Sequence, residues 1–180
     1  MYSFIQSITL FRLLSGPIIF WLLLFSNQYG FALVILILAG ISDYFDGLLA
    51  RRYHLESYIG EVLDPIADKI LVLFLVIALT LYFQSLFIGF VGAIMLAREF
   101  WVSALRDLNA RKNQLHATKV TFLAKLKTSI QFFTFSLFLF GIYVDNSLVI
   151  FLSKFFLFLS LLIALQTSIA YTIASFKNNL

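Results

Sequence analysis

Six apolar runs, each close to the thickness of a bilayer, follow one another along this chain with only short polar links between them. A membrane-spanning helix needs roughly 20 apolar residues at about 1.5 Å rise each. Backbone groups in hydrocarbon must be satisfied inside the protein, and runs this long do so as helices rather than as barrel strands. The runs cover approximately Phe4–Phe25, Phe31–Arg52, Tyr58–Phe83, Leu86–Leu105, Val120–Val144 and Leu148–Phe176. They consume most of the 180 residues. The expectation is therefore an all-α, polytopic integral membrane protein with six transmembrane helices, forming one domain over residues 1–180. Composition agrees, since 62% hydrophobic and 12% charged residues exclude an ordinary soluble domain. Without cysteine, a disulfide framework and a thiolate site are excluded too. The first run has no basic leader and no small-residue cleavage pattern, so it reads as a retained helix, with Arg12 reaching to lipid headgroups.

Charge sorts by side. The links after the first and third runs hold no Lys or Arg, and the link after the fifth brings only Lys154. The opposite side holds Arg51, Arg52, Arg106, Arg111, Lys112, Lys119 and Lys177. The positive-inside rule assigns that side, with both termini, to the cytoplasm. Topology thus accounts for the net charge of +4, and no nucleic-acid partner is expected.

Four aspartates gather on the same side. Asp43 and Asp46 stand three apart at the end of the second run, and Asp64 and Asp68 four apart at the start of the third. Either spacing puts a pair on one helix face. A short link, residues 51–58, makes the two helices antiparallel and lets their facing ends bring the four carboxylates together. Such a cluster repels itself, and each acid costs on the order of 2.5–3.5 kcal/mol at a bilayer centre. Hard divalent cations relieve that cost, because they take oxygen ligands and keep phosphate or water in their shell. Gly47 lies four after Asp43, Ala50 four after Asp46 and Gly60 four before Asp64, so side-chain bulk is missing along the acid faces. That leaves room for a nucleotide beside metals, with Arg51 able to fork onto a pyrophosphate. Metals at a phosphate point to phosphoryl or phosphatidyl transfer. The bland alternative is that the acids are solvated helix ends, which does not explain the small residues.

The stretch Asp43–Asp68 reads D-x2-D-G-x2-A-R-x8-G-x3-D-x3-D, with all defining positions filled. It resembles the signature of the CDP-alcohol phosphatidyltransferases, and the resemblance extends from about Thr9 to Gln131. It implies two divalent cations, Mg²⁺ or Mn²⁺, with Asp43 and Asp64 bridging both, Asp46 completing one site and Asp68 the other. Asp68 would also be the base, while Gly47, Arg51 and Ser57 would contact the CDP group. A CDP-linked lipid would be attacked by an alcohol, and CMP would leave.

Arg98 and Arg106 lie eight apart on the fourth run, and Lys125 and Lys127 open the fifth. Charges so close to hydrocarbon are expensive unless they serve a cavity, and these suit an anionic, water-soluble acceptor such as a glycerol phosphate. Alternatively, Arg98 pairs with Glu99 or Asp107 and the lysines meet headgroups. The runs Ala97–Arg106, Lys125–Gln131 and Thr9–Arg12 are similar to stretches of the bacterial phosphatidylglycerophosphate synthases within the family. Ala124 departs from their usual glycine and Gln6 from a common asparagine. This resemblance implies CDP-diacylglycerol and glycerol 3-phosphate as substrates, in the lipid bilayer of a bacterial inner membrane with the site at the cytoplasmic face. A homodimer is compatible with it. Inositol phosphate, serine or phosphatidylglycerol are the rival acceptors. A divalent-cation transporter ranks far behind, since its acids should lie near mid-membrane.

Overall fold

The computed structural model of the chain describes residues 2–53, 58–111 and 122–177, with side chains described outside 2–6, 8, 43–62, 64, 122–125 and 177. These residues form six helices: α1 (Tyr2–Leu24), α2 (Tyr29–Tyr53), α3 (Tyr58–Phe83), α4 (Leu86–Arg111), α5 (Phe122–Tyr143) and α6 (Ser147–Lys177). The turns after α1, α3 and α5 each carry a residue with positive φ, at Asn27, Gln84 and Asp145. Asn and Asp tolerate that conformation because their short polar side chains bond locally, and Asn146 caps the next helix by accepting from the backbone N–H of Leu148 at 3.0 Å. Among the described residues four segments are long and apolar enough to cross a membrane: Pro65–Phe83, Leu86–Arg111, Leu126–Tyr143 and Ser147–Phe176. Two shorter apolar segments, Thr9–Leu24 and Tyr29–Ser42, complete the set. The chain is an integral membrane protein of all-helical fold.

Helix α4 continues past Leu105 to Arg111. Apolarity could not reveal that extension, because four of its six residues are polar or charged. Its anchor is Asn109, fully buried, which donates from Nδ2 to Ser175 Oγ at 2.8 Å.

The helices close into a ring, each packing on two neighbours in the order α1, α2, α5, α6, α4, α3 and back to α1. Buried residues from every helix meet in the middle, among them Ile19, Leu36, Leu75, Met95, Phe138 and Leu157. Over their described lengths α2 and α3 therefore meet mainly through α1. The pairings fix directions. Gly30 abuts Tyr143 and Gly40 abuts Phe132, so α2 and α5 are antiparallel. Arg98 reaches Thr167 and Asn109 reaches Ser175, so α4 and α6 run parallel. This alternation brings the end of α2, the starts of α3 and α5, and the ends of α4 and α6 to one end of the bundle.

Two glycines permit that closeness. A Cβ at Gly92 would stand 2.2 Å from Val76 Cγ1, and one at Gly40 would stand 2.3 Å from the Phe132 ring. Overpacking of this kind costs about 1–3 kcal/mol. Gly92→Ala should therefore unfold earlier in detergent, and adding Val76→Ala should restore most of the loss. Unchanged stability of Gly92→Ala would mean that α3 and α4 are not held this close.

Candidate active site

The acid-bearing stretches are continuous helix. Asp43, Asp46, Gly47, Ala50 and Arg51 all fall within α2, and Gly60, Asp64 and Asp68 within α3. The three- and four-residue spacings are thus true helical spacings. Pro65 sits inside α3, where its missing N–H frees one carbonyl in the preceding turn. Ser57 lies outside the described residues, and so do the side chains of Asp43, Asp46, Gly47, Arg51, Asp64 and Lys125.

Asp68 is the aspartate of the four whose side chain is described, and its surroundings differ from the expectation. Arg12 does not snorkel to headgroups. It is buried, at 1% exposure, and its Nη1 donates to Asp68 Oδ1 at 3.2 Å, while the Asp68 side chain is 51% exposed. The reason is packing: α1 runs alongside α3 with Gly16 against the backbone of Leu71, which leaves Arg12 facing the bundle. A guanidinium there needs a carboxylate partner, and Asp68 lies beside it. Arg12 thereby steadies one oxygen of Asp68 and supplies a positive charge at the acidic end.

The next residue turns the other way. Lys69 donates to Ser103 Oγ on α4 at 2.6 Å, and its ammonium lies 5.7 Å from the Phe100 ring centroid. Sequence reasoning gave Lys69 no role, although a lysine inside an apolar run was a signal in plain view.

A second polar cluster ties α4, α5 and α6 together. Arg98 is buried and directs three nitrogens to three partners. Its Nε donates to the Ala164 carbonyl at 2.9 Å, Nη2 donates to Thr167 Oγ1 at 2.6 Å, and Nη1 pairs with Glu99 Oε1 at 3.6 Å. Lys127 is also buried and donates to the same Glu99 oxygen. Both cations are brought together as the sequence suggested, and the Glu99 alternative raised for Arg98 is present as well. Asp107 takes no part in the Arg98 contacts. The Nε–Nη2 edge of Arg98 is occupied by α6, so its geometry is that of an organiser joining α4 to α6, and Glu99 extends the link to Lys127 on α5. Arg106 is exposed, with its guanidinium carbon 5.7 Å from the Tyr171 ring centroid. A cation there keeps donors for a ligand while the ring supports its flat face.

Among the described residues no group of three or more His, Cys, Asp or Glu forms a metal cage. The donor set at the acidic end is oxygen only, and Asp68 retains half its surface. Those features fit a hard divalent cation.

The chain matches the family model described as CDP-alcohol phosphatidyltransferase over residues 6–172. It is 36% identical over 167 residues to a CDP-diacylglycerol–glycerol-3-phosphate 3-phosphatidyltransferase of Wigglesworthia glossinidia brevipalpis, covering 91% of this chain and 90% of the relative. It is 35% identical over 127 residues to proteins of the same description from Escherichia coli strain K12 and Shigella flexneri serotype 5b, covering 69% of each chain. A family match from Gln6 to Thr172 reaches into all six helices and takes in both polar clusters. The chain belongs to the CDP-alcohol phosphatidyltransferase family.

Proposed function

We propose that this protein transfers the phosphatidyl group of CDP-diacylglycerol to glycerol 3-phosphate, giving phosphatidylglycerol phosphate and CMP. The observation that carries the choice of acceptor is the Arg98–Glu99–Lys127 cluster. Two buried cations share one carboxylate near the end of the bundle where the aspartates lie. Their positive excess suits a phosphate dianion and would be left unbalanced by a neutral acceptor such as serine. The names of the relatives point the same way.

Asp43, Asp46, Asp64 and Asp68 are the residues that would hold two divalent cations, Mg²⁺ or Mn²⁺. When bound, such ions stabilise charge on phosphate oxygens and ease deprotonation of a hydroxyl. Gly47, Arg51 and Ser57 would receive the CDP group, Arg51 by paired hydrogen bonds. Arg106, Lys125 and Lys127 would hold the acceptor's phosphate, with Arg98 and Glu99 fixing Lys127. The acceptor's hydroxyl oxygen forms the new bond to the phosphatidyl phosphorus, its proton passes to Asp68, and the bond to CMP breaks. Arg12 orients Asp68 for that transfer. The charge bias of the links supports a site at the cytoplasmic face of a bacterial inner membrane.

Purified protein given labelled CDP-diacylglycerol should release CMP with glycerol 3-phosphate, and not with serine, inositol phosphate or phosphatidylglycerol. Release with one of those alone would move the protein to another branch of the family. Charged hydrogen bonds are worth roughly 1.5–3 kcal/mol each. Arg106→Ala should then raise the KM for glycerol 3-phosphate about tenfold or more, at about 1.4 kcal/mol per decade, and leave that for CDP-diacylglycerol unchanged. Arg51→Ala should show the reverse.

A further inference from the structure

Gln131 is a buried polar side chain in the bundle that no role has yet absorbed. It lies four residues after Lys127 on α5, so the two share a helix face. That face continues inward through Phe135, Phe138 and Ile142, all buried core residues. Position 131 is thus where an apolar side chain would be expected. Instead it holds an amide that is 4% exposed and whose Nε2 has no hydrogen-bond partner. Buried amides without partners are rare because the lost hydration is not returned.

Among the described residues Ser160 and Asn109 also hold a buried polar atom without a partner, and each has a simpler account, while the guanidinium of Arg12 is held by Asp68. Ser160 carries a hydroxyl that can turn to the carbonyl of the preceding turn, as Ser153 and Thr134 do. Asn109 already donates its amide nitrogen to Ser175, and only its oxygen is left over. An inward glutamine has no such local rescue. Its neighbour one turn toward the acidic end is Lys127, whose ammonium is already turned to an anion, Glu99.

We infer that Gln131 is a specificity-determining residue for the acceptor, donating from its side-chain amide to the acceptor's phosphate beside Lys127. This rests on the reading of an anionic acceptor given above. Donors at positions i and i+4 of one face can converge on a single phosphate group, whose oxygens accept more than one bond. A lysine alone is a mobile point charge. A buried, directional amide adds a fixed orientation to it, one turn before Phe135 begins the apolar core. The unpartnered amide is then a cost carried by the ligand-free protein and relieved on binding.

That cost gives the test its two signs. Gln131→Leu removes an unsatisfied polar group from the core, so the ligand-free protein in detergent should melt about 2–4 °C higher. The same change should raise the KM for glycerol 3-phosphate tenfold or more, with kcat and the KM for CDP-diacylglycerol within about twofold on that conversion scale. Thermal stabilisation by glycerol 3-phosphate, and by inorganic phosphate, should be present in the wild type and largely lost in the variant. Structural damage cannot raise stability while selectively weakening one substrate. Should Gln131→Leu fail to fold, Gln131→Met carries the same expectations with a more adaptable side chain. An unchanged KM for glycerol 3-phosphate, or undiminished stabilisation by phosphate in the variant, would overturn this proposal and leave the acceptor reading intact. A wild type that neither phosphate compound stabilises would overturn both.

Discussion

Asp43→Asn and Asp64→Asn should each remove phosphatidyl transfer by about 10³-fold or more, a loss of about 4 kcal/mol in transition-state stabilisation at 1.36 kcal/mol per decade. Both residues lie in unbroken helix, at register positions that pair with Asp46 and Asp68. Asparagine keeps the shape and hydrogen-bonding capacity but removes the charge that a divalent cation needs. The variants should remain inserted and helical, because deleting one of several like charges relieves repulsion. Circular dichroism and gel filtration in detergent would check that folding survives, and CMP release would measure the chemistry. Excess EDTA should reproduce the loss in the wild type, and added Mg²⁺ or Mn²⁺ should reverse it. Full turnover in EDTA would dispose of the metal assignment for all four aspartates.

A comparably large effect, on stability rather than on rate, is expected at Glu99. Its carboxylate is shared by Arg98 and Lys127, both buried, in helices long and apolar enough to cross a membrane. Breaking a buried ion pair by removing one partner costs about 3–5 kcal/mol, because the other charge stays buried without compensation. Glu99 is partly exposed, at 23% of its side chain, so Glu99→Gln should fall near the lower bound, about 3 kcal/mol. The reciprocal change distinguishes charge from shape. Glu99→Gln combined with Lys127→Met should be more stable than Glu99→Gln alone, since the stranded ammonium is gone. Arg98 would keep its bonds to Ala164 and Thr167 throughout. Equal stability of the single and double variants, measured by unfolding in detergent, would show that Lys127 does not depend on Glu99.

Much of this architecture was legible before any coordinates. Apolar length sets where helices begin and end in a bilayer, so the ends of α3 and the start of α4 fall where the apolar runs predict. Helical spacing likewise made the aspartate pairs readable from Asp43 to Asp68, because i, i+3 and i, i+4 relations are properties of one helix. What sequence alone determined is therefore local in kind: the number of helices, their direction by alternation, and the acids and bases on one side.

The tertiary structure decided what depends on which helices touch. Every helix is apolar on most of its surface, so hydrophobicity does not rank possible neighbours. Close approach does. Gly40 against Phe132 and Gly92 against Val76 set two seams of the ring. Placing α1 against both α2 and α3 turned Arg12 from an expected headgroup contact into the buried partner of Asp68. Placing α4 between α3 and α6 sent Arg98 to Ala164 and Thr167, more than 60 residues away in sequence, and drew Lys69 to Ser103. A buried charge takes whichever partner the packing offers, and that choice is made between helices, where the one-dimensional pattern carries no information.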